Sequence, residues 1–475
     1  MWTVPRPLIV SVTIGIVLFL VAWLPLKDWK KASLWTGFAL VLFFSYGHVY
    51  VLIEDYQLAG LNIGRHRYLL ILWALILGLG SWIILRRIKN MNRLILTLNM
   101  MSFLLVTVQL IQIGNYQLKK RGSYREALAS SVETILPAAS SGSDPDVYVI
   151  VMDMYGREDA LSEYYGYDNH EFTARLKELG FYVAECGRSN YSHTVLSLST
   201  QLNINYIDEI LDDVNYESAS ALMKNSIVQK TFEDRGYTTI AFEIGIEWAD
   251  LDETDIFYVS QPDEKIILSL EPFELLFAES TLVSPFVDYY RSQEPNDFPN
   301  IYSPIAMKAL RTEMVLDHLR VLPTIEGPKF VFAHILVPHP PHVFNIDGTV
   351  NLQPDLVSDK VGLSIRLDYL NPKILELVER IISNSHPEPI VILEGDHGFG
   401  NFQRTSILNA IYLPDAGADV LYPQISLVNT FRVVFNQYFG AEYDLLEDVS
   451  YKHIGDLFDY QLHTEWNPEC IRDSN

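Results

Sequence analysis

The chain has 475 residues, carries 35 Lys and Arg against 59 Asp and Glu for a formal net charge of −24, and contains two cysteines. That length exceeds one ordinary domain. The acidic excess excludes nucleic acid as a partner, because binding it needs a basic footprint. Two cysteines, Cys186 and Cys470, supply neither a disulfide framework nor a Cys-x-x-Cys metal site, and leave one bridge open.

Apolar residues crowd the first quarter of the chain. Leu8 to Leu26, Leu34 to Ile53, Tyr68 to Leu85 and Leu94 to Ile113 contain no Asp, Glu, Lys or Arg. Crossing a hydrocarbon layer of roughly 30 Å takes about 20 helical residues. The sequence therefore predicts four membrane spans, at about 8–26, 34–53, 68–86 and 93–113, within a membrane region 1–118. A cleaved signal peptide would account for the first stretch alone. Lys27, Lys30 and Lys31 follow the first span, and Arg86, Arg87, Lys89 and Arg93 follow the third, the usual composition of cytoplasmic turns. Arg65, Arg67 and the basic residues after the last span pull the other way. If the two short basic turns are cytoplasmic, the remainder of the chain lies outside the cytoplasm.

Residues 119–145 read as a juxtamembrane connector and linker. Arg121 to Leu136 is either an amphipathic interfacial helix, with Leu128, Val132, Ile135 and Leu136 at helical spacing, or a plain connector. Ala138 to Pro145 is small, polar and ends in proline, which marks a domain boundary.

From 146 to 475, short apolar runs alternate with helical patterns. Strands are predicted at Val147 to Met152, Thr238 to Phe242, Phe330 to Ile335 and Ile390 to Leu393. Helices are predicted at Glu171 to Leu179, Met307 to Leu322 and Lys373 to Ile382. Apolar runs bounded by turn signals suit strands buried on both faces, so an α/β sandwich with a mostly parallel central sheet follows. In such sheets functional side chains project from the C-terminal strand ends.

Three strand-end or turn sequences carry chemistry. Asp153 ends the first apolar run, and Asp396-His397-Gly398 ends a later one, so both would emerge on the same rim. Carboxylate oxygen and imidazole nitrogen are ligands for zinc or manganese, although an Asp in a βα loop is also a common helix cap. The third is Ser189-Asn-Tyr-Ser-His-Thr-Val-Leu-Ser-Leu, a polar turn entering a helix. A hydroxyl at that helix N-terminus would sit beside free N–H groups that favour an alkoxide and an incoming phosphate.

The Asp after the first strand, the Ser-Asn-Tyr-x-x-Thr-x-x-Ser-Leu turn with Asn203 nine residues after the Thr, and the late Gly-Asp-His-Gly together resemble the alkaline-phosphatase superfamily in its sulfatase-like branch. The layout is similar to that of lipoteichoic acid synthases and phosphoethanolamine transferases, which carry a membrane helix bundle before such a domain. The resemblance implies that Asp153, Thr194, Asp396 and His397 hold a catalytic metal, with Thr194 as nucleophile. It also implies a His in a Pro-rich turn at the substrate. His339 fills that place within Phe332-Ala-His-Ile-Leu-Val-Pro-His-Pro-Pro-His, with His334 behind it and His342 read as a surface histidine. Asn190 is expected at the substrate too.

Sulfatases of the branch use Cys or Ser in Cys/Ser-x-Pro-Ser-Arg and convert it to formylglycine. Here the stretch reads Thr194-Val-Leu-Ser-Leu198, and Thr cannot form that aldehyde. A phosphoester hydrolase or headgroup transferase acting on a lipid- or glycan-linked substrate is therefore expected over a sulfuric-ester hydrolase or a non-catalytic binding domain. In the glycerol-phosphate polymerases the loop after the corresponding strand carries His, Trp and Arg for substrate phosphate. Here it reads Ala241-Phe-Glu-Ile-Gly-Ile-Glu-Trp248, with Glu243 and Glu247, which speaks against that particular substrate.

Overall fold

A computed structural model describes residues 5–54, 56–58, 61–62, 64–88, 90–130, 144–260, 272–293, 304–351, 359–400, 404–415, 417–463 and 470. It divides into two compact units. One is Met1–Asn115 with Asp263–Pro304, and the other is Tyr116–Pro262 with Ile305–Asn475. The sequence placed a single boundary in the linker, most of which lies outside the described residues. The structure adds a second excursion, because 263–304 groups with the N-terminal helices.

The first unit holds α1 (Pro5–Leu26), α2 (Trp29–Ile53), a short hairpin of β1 (Gln57–Leu58) and β2 (Leu61–Asn62), α3 (His66–Arg86) and α4 (Met91–Ser130) as far as Asn115, the rest of α4 falling in the second unit. The four helices include stretches long and apolar enough to cross a membrane, Arg6–Leu26, Trp29–Ile53, His66–Arg86 and Met91–Lys119. They begin two to five residues ahead of the apolar runs because helix starts are polar. Asp28, for example, caps α2 by accepting from the N–H groups of Lys30 and Lys31. α4 continues unbroken to Ser130, so the first part of the stretch read as an interfacial helix or connector extends the last span. No proline interrupts it there.

The second unit is built on a seven-stranded sheet. Its strands are β3 (Val147–Met152), β4 (Tyr182–Val183), β5 (Thr238–Phe242), β6 (Ile256–Tyr258), β7 (Lys329–Ile335), β8 (Ile390–Glu394) and β9 (Asn409–Tyr412), in the spatial order β4-β9-β8-β3-β7-β5-β6. β8, β3, β7, β5 and β6 run parallel, and β9 runs against both its neighbours. Every residue of β3, β7 and β8 is buried, as continuous apolar runs require.

Alternation divides the core. Tyr148, Ile150 and Met152 face one side and pack with α6 (His170–Glu178), α12 (Pro304–Val321) and α13 (Asp359–Asn384). Val147, Val149 and Val151 face the other and pack with α7 (Thr194–Leu202), α8 (Tyr216–Lys224), α9 (Ile227–Asp234) and α14 (Leu427–Phe439). A ring cluster of Phe232, Phe330, Phe431, Phe435 and Phe439 fills that second layer. The unit also contains α5 (Glu158–Tyr165) and an antiparallel hairpin, β10 (Tyr451–Ile454) and β11 (Asp456–Leu462), and the first unit contains α10 (Pro272–Glu279) and α11 (Ser284–Gln293). Cys186 and Cys470 are disulfide-bonded.

Candidate active site

The register of the parallel strands fixes the site. Val151 of β3 lies opposite His334 of β7 on one side and Glu394 of β8 on the other. Partners in register share a face, so His334 and Glu394 point with Val151 toward the α7 layer. Asp153 follows one step beyond β3, its N–H donating to Ile335 O at 2.9 Å. Asp396 and His397 leave β8 at the same rim.

There Asp153, His334 and Asp396 each offer a ligand atom within 4.8 Å of the others, and all three are buried. Asp396 Oδ1 accepts from the backbone N–H groups of Met154 and His397, both at 2.9 Å. Its Oδ2 lies 3.6 Å from His397 Nε2. Asp153 Oδ2 lies 3.5 Å from His334 Nε2. Asp153 Oδ1, Asp396 Oδ2 and both ring nitrogens of His334 have no hydrogen-bond partner among the described residues. Buried polar atoms are rarely left so, and two carboxylates with an imidazole form a donor set for a divalent ion such as zinc or manganese. Burial acts to raise the Asp153 carboxyl, but the close approach of His334 and the charges of His334, His339 and His397 hold it well below the usual range. Burial acts to lower His334, and Asp153 raises it overall.

Gly395 makes this approach possible. A Cβ there would lie 2.3 Å from Tyr155 O, so the β8 strand end passes too close to the β3 loop for any side chain.

Thr194 is the first residue of α7. It lines a cavity of about 170 Å³ together with Asp153, His334, His339, His397 and Arg404, with Tyr216, Ile244, Ile246 and Trp248 among the other walls. Three neighbouring hydroxyls are engaged elsewhere, while Thr200 Oγ1 is buried with no partner among the described residues. Ser197 Oγ donates to Asp396 O at 2.6 Å, Ser199 Oγ donates to the carbonyls of Val195 and Ala219, and Ser192 Oγ is 3.1 Å from His453 Nδ1. Every residue of α7 after Thr194 is buried, so Ser197 and Ser199 lie in the core.

Each residue named from the sequence can now be placed. Asp153, Thr194, His334, His339 and His397 come together at the cavity, and Asp396 stands directly behind it. His334, read as a residue behind the substrate contacts, lies with Asp153 and Asp396 in the group that could hold a metal ion, because its strand lies next to β3. Asn190 does not reach the cavity. Its amide nitrogen donates to Tyr206, Ser426 and Val449, and its Oδ1 accepts from Val428 N–H at 2.8 Å, so it braces the turn before α7 against α14. His342, read as a surface residue, is buried, with Nε2 2.6 Å from Asn351. Glu243 faces away from the site toward Arg311 at 3.0 Å and Ser260; burial alone acts to raise its carboxyl, and these contacts keep it below its ordinary value.

Three further groups escaped sequence reasoning. Arg404 lines the cavity with a buried Nε that has no partner among the described residues. Its position eight residues after Asp396, in the loop beyond β8, obeys the same strand-end rule that located Asp396. His193 and His453 form an imidazole cluster with His397, with ring centroids 5.0 Å apart for His193 and His453 and 6.1 Å for His193 and His397. Burial, then the charges of Arg404, His397 and His453, lowers His193 to about 3 and keeps it neutral. Nothing in the local sequence around His453 announces it. Lys308, on α12, donates to the carbonyls of His339 and Pro341 and so holds the Pro-rich turn. Burial lowers it to about 7.

No protein-family model and no curated protein matches the chain. Solved structures with a similar fold include the C-terminal periplasmic domain of EcEptC from Escherichia coli, at 13% identity and TM-score 0.41, covering 68% of this chain and 95% of that one. Another is the integral membrane lipooligosaccharide phosphoethanolamine transferase A (EptA) from Neisseria meningitidis, at 13% identity and TM-score 0.41, covering 90% and 84%. A third is the lipoteichoic acid synthase LtaP from Listeria monocytogenes, at 10% identity and TM-score 0.37, covering 68% and 80%. At TM-scores below 0.5 these are similarities only, and the chemistry of the site rests on its own residues.

Proposed function

We propose that this chain is a membrane-anchored, metal-dependent phosphoryl-transfer enzyme of the alkaline-phosphatase type that works through a covalent phosphothreonine at Thr194. The observation that carries the reading is the convergence on one cavity of a threonine at a helix N-terminus, buried carboxylate and imidazole atoms without partners, and an arginine. A phosphoester on a lipid or glycan is the substrate class. Residues 146–475 supply the catalytic region, apart from the excursion that groups with the membrane region 1–118, and 119–145 connect the two.

Asp153, His334 and Asp396, with His397 beside them, would hold zinc or manganese. Such an ion supplies acidification of a hydroxyl and neutralisation of charge on phosphoryl oxygens. The rest falls to the chain's own groups. Thr194 Oγ attacks phosphorus from the first turn of α7, where free N–H groups and the helix dipole favour the negative phosphoryl group. Arg404 donates to a phosphoryl oxygen. As Oγ attacks, the Thr194 hydroxyl releases its proton to solvent, the phosphorus–oxygen bond to the leaving group breaks, and the departing oxygen takes a proton that His339 delivers. Water or an acceptor hydroxyl then attacks phosphorus from the opposite side and gives its proton to His339, while the bond to Thr194 breaks and Oγ takes up a proton from solvent to restore the hydroxyl.

The catalytic region is read as extracytoplasmic. The basic turns after the first and third spans favour that side, and a Cys186–Cys470 bond persists in an oxidising compartment.

The test is Thr194→Ala in the full chain. Turnover of a phosphoester headgroup substrate should be lost while the thermal unfolding midpoint is kept, and wild type should show a mass gain on Thr194 after a brief exposure to substrate. Near-normal turnover of the variant ends the proposal.

A further inference from the structure

The excursion from the second unit carries α10 and α11, and its polarity is inverted. In a helix on a water-facing surface, charged residues point out and apolar ones point in. Here Glu274 and Asp288 turn to partners in the spans, Asp288 with 34% of its side chain still exposed. Glu274 is buried and meets Arg6 Nε at 3.0 Å. Asp288 Oδ2 lies 2.7 Å from His66 Nε2, His66 Nδ1 lies 3.0 Å from the hydroxyl of the buried Tyr46, and Tyr50 stacks on the His66 ring at 3.8 Å. Phe273 and Leu276 on α10, and Phe286, Tyr289 and Tyr290 on α11, point outward and are 46 to 64% exposed. Their spacings of three and four residues put each set on one stripe of its helix.

The α10–α11 segment is built into the spans rather than resting on them. Gly47 of α2 donates its N–H to Ser280 O at 3.1 Å, and Leu282 donates to Phe43 O at 2.9 Å. Phe277 packs on Phe44 with ring centroids 5.7 Å apart. A Cβ on Gly47 would lie 2.0 Å from Glu279 O, so only glycine permits this seat.

We propose that α10 and α11 form a lipid-facing element that lies at the boundary between headgroups and acyl chains, its partner being the bilayer itself. Three observations favour lipid over water or protein: the inverted polarity, the continuity of the exposed stripes with a unit whose helices are exposed and apolar along their lengths, and the aromatic content typical of the interfacial belt. The inference rests on the membrane reading of the four helices and is independent of the catalytic one, so the two can fail separately.

The experiment uses the full chain in vesicles of phosphatidylcholine and phosphatidylglycerol. The native cysteines are paired, so Phe286→Cys offers a single thiol for a nitroxide label. Glu379→Cys serves as the aqueous reference and Leu104→Cys as the lipid reference. The ratio of collisions with oxygen to collisions with a nickel chelate at 286 should exceed that at 379 several-fold and approach that at 104. Introducing Gly47→Val should lower it toward the aqueous value. A ratio at 286 equal to that at 379 overturns the proposal. Exclusion of both reagents overturns it too, because it would mean that protein, such as a second copy, covers the face.

Discussion

Gly395→Ala probes the geometry on which the site depends without removing a functional group. The added methyl would sit 2.3 Å from Tyr155 O and 3.1 Å from Tyr155 N and C. Ordinary contact starts at 3.4 Å, so the first distance falls about 1.1 Å short. The obstacle is backbone, and it cannot rotate away like a side-chain tip. Either the loop after β3 or the end of β8 must shift by about that amount, and the two carry Asp153 and Asp396. A misplacement of about 1 Å in a catalytic constellation costs about 100-fold, or about 2.7 kcal/mol in the barrier. Overpacking adds about 1–3 kcal/mol of lost stability. Turnover with a phosphoester substrate, bound metal per chain by elemental analysis and the unfolding midpoint should be measured together. Turnover should fall about 100-fold and metal occupancy should drop, with the chain still folded at assay temperature. Turnover within about threefold of wild type at unchanged metal content would refute the claim that this close approach sets the ligand geometry.

Arg404→Met should lower kcat by about 100-fold or more, the usual loss when one donor to developing charge is removed; an unchanged kcat with raised KM would make it a binding residue only. Lys308 is held near 7 by burial, below its unfolded value of 10.5. Between those values the unfolded chain binds more protons than the folded one, so this group makes stability rise with pH from about 7 to 10.5 and imposes its full penalty below 7. Denaturant unfolding at pH 7 and 9 should show wild type gaining on Lys308→Met at the higher pH, by on the order of 2 kcal/mol; a gap that does not change with pH refutes the buried cation. Exhaustive chelation of the full chain should abolish turnover, and zinc or manganese should restore it. Activity that survives metal removal would leave the orphaned atoms of Asp153, His334 and Asp396 without this explanation.

Much of the architecture and of the candidate site was legible because it obeys local rules. Charge-free runs of about 20 residues mark spans without any tertiary knowledge. Asp153 and Asp396 betray themselves as acids that end apolar runs, because a parallel strand buried on both faces admits polar residues only past its C-terminal end. Thr194 was reachable through its motif and its place at a helix start. What could not be read locally depends on neighbours distant in the chain. His334 lies inside an apolar strand, and only the pairing of β7 beside β3 brings its ring to Asp153 and Asp396. Asn190 looked functional in a polar turn, yet its partners lie 16 to 259 residues away and make it a brace. His453 reaches the site from a hairpin with no motif of its own. The inward charges of α10 and α11 find partners 222 and more residues earlier, at His66 and Arg6. Sequence periodicity reports which residues share a face of one element, but which element covers that face is decided by packing across the chain.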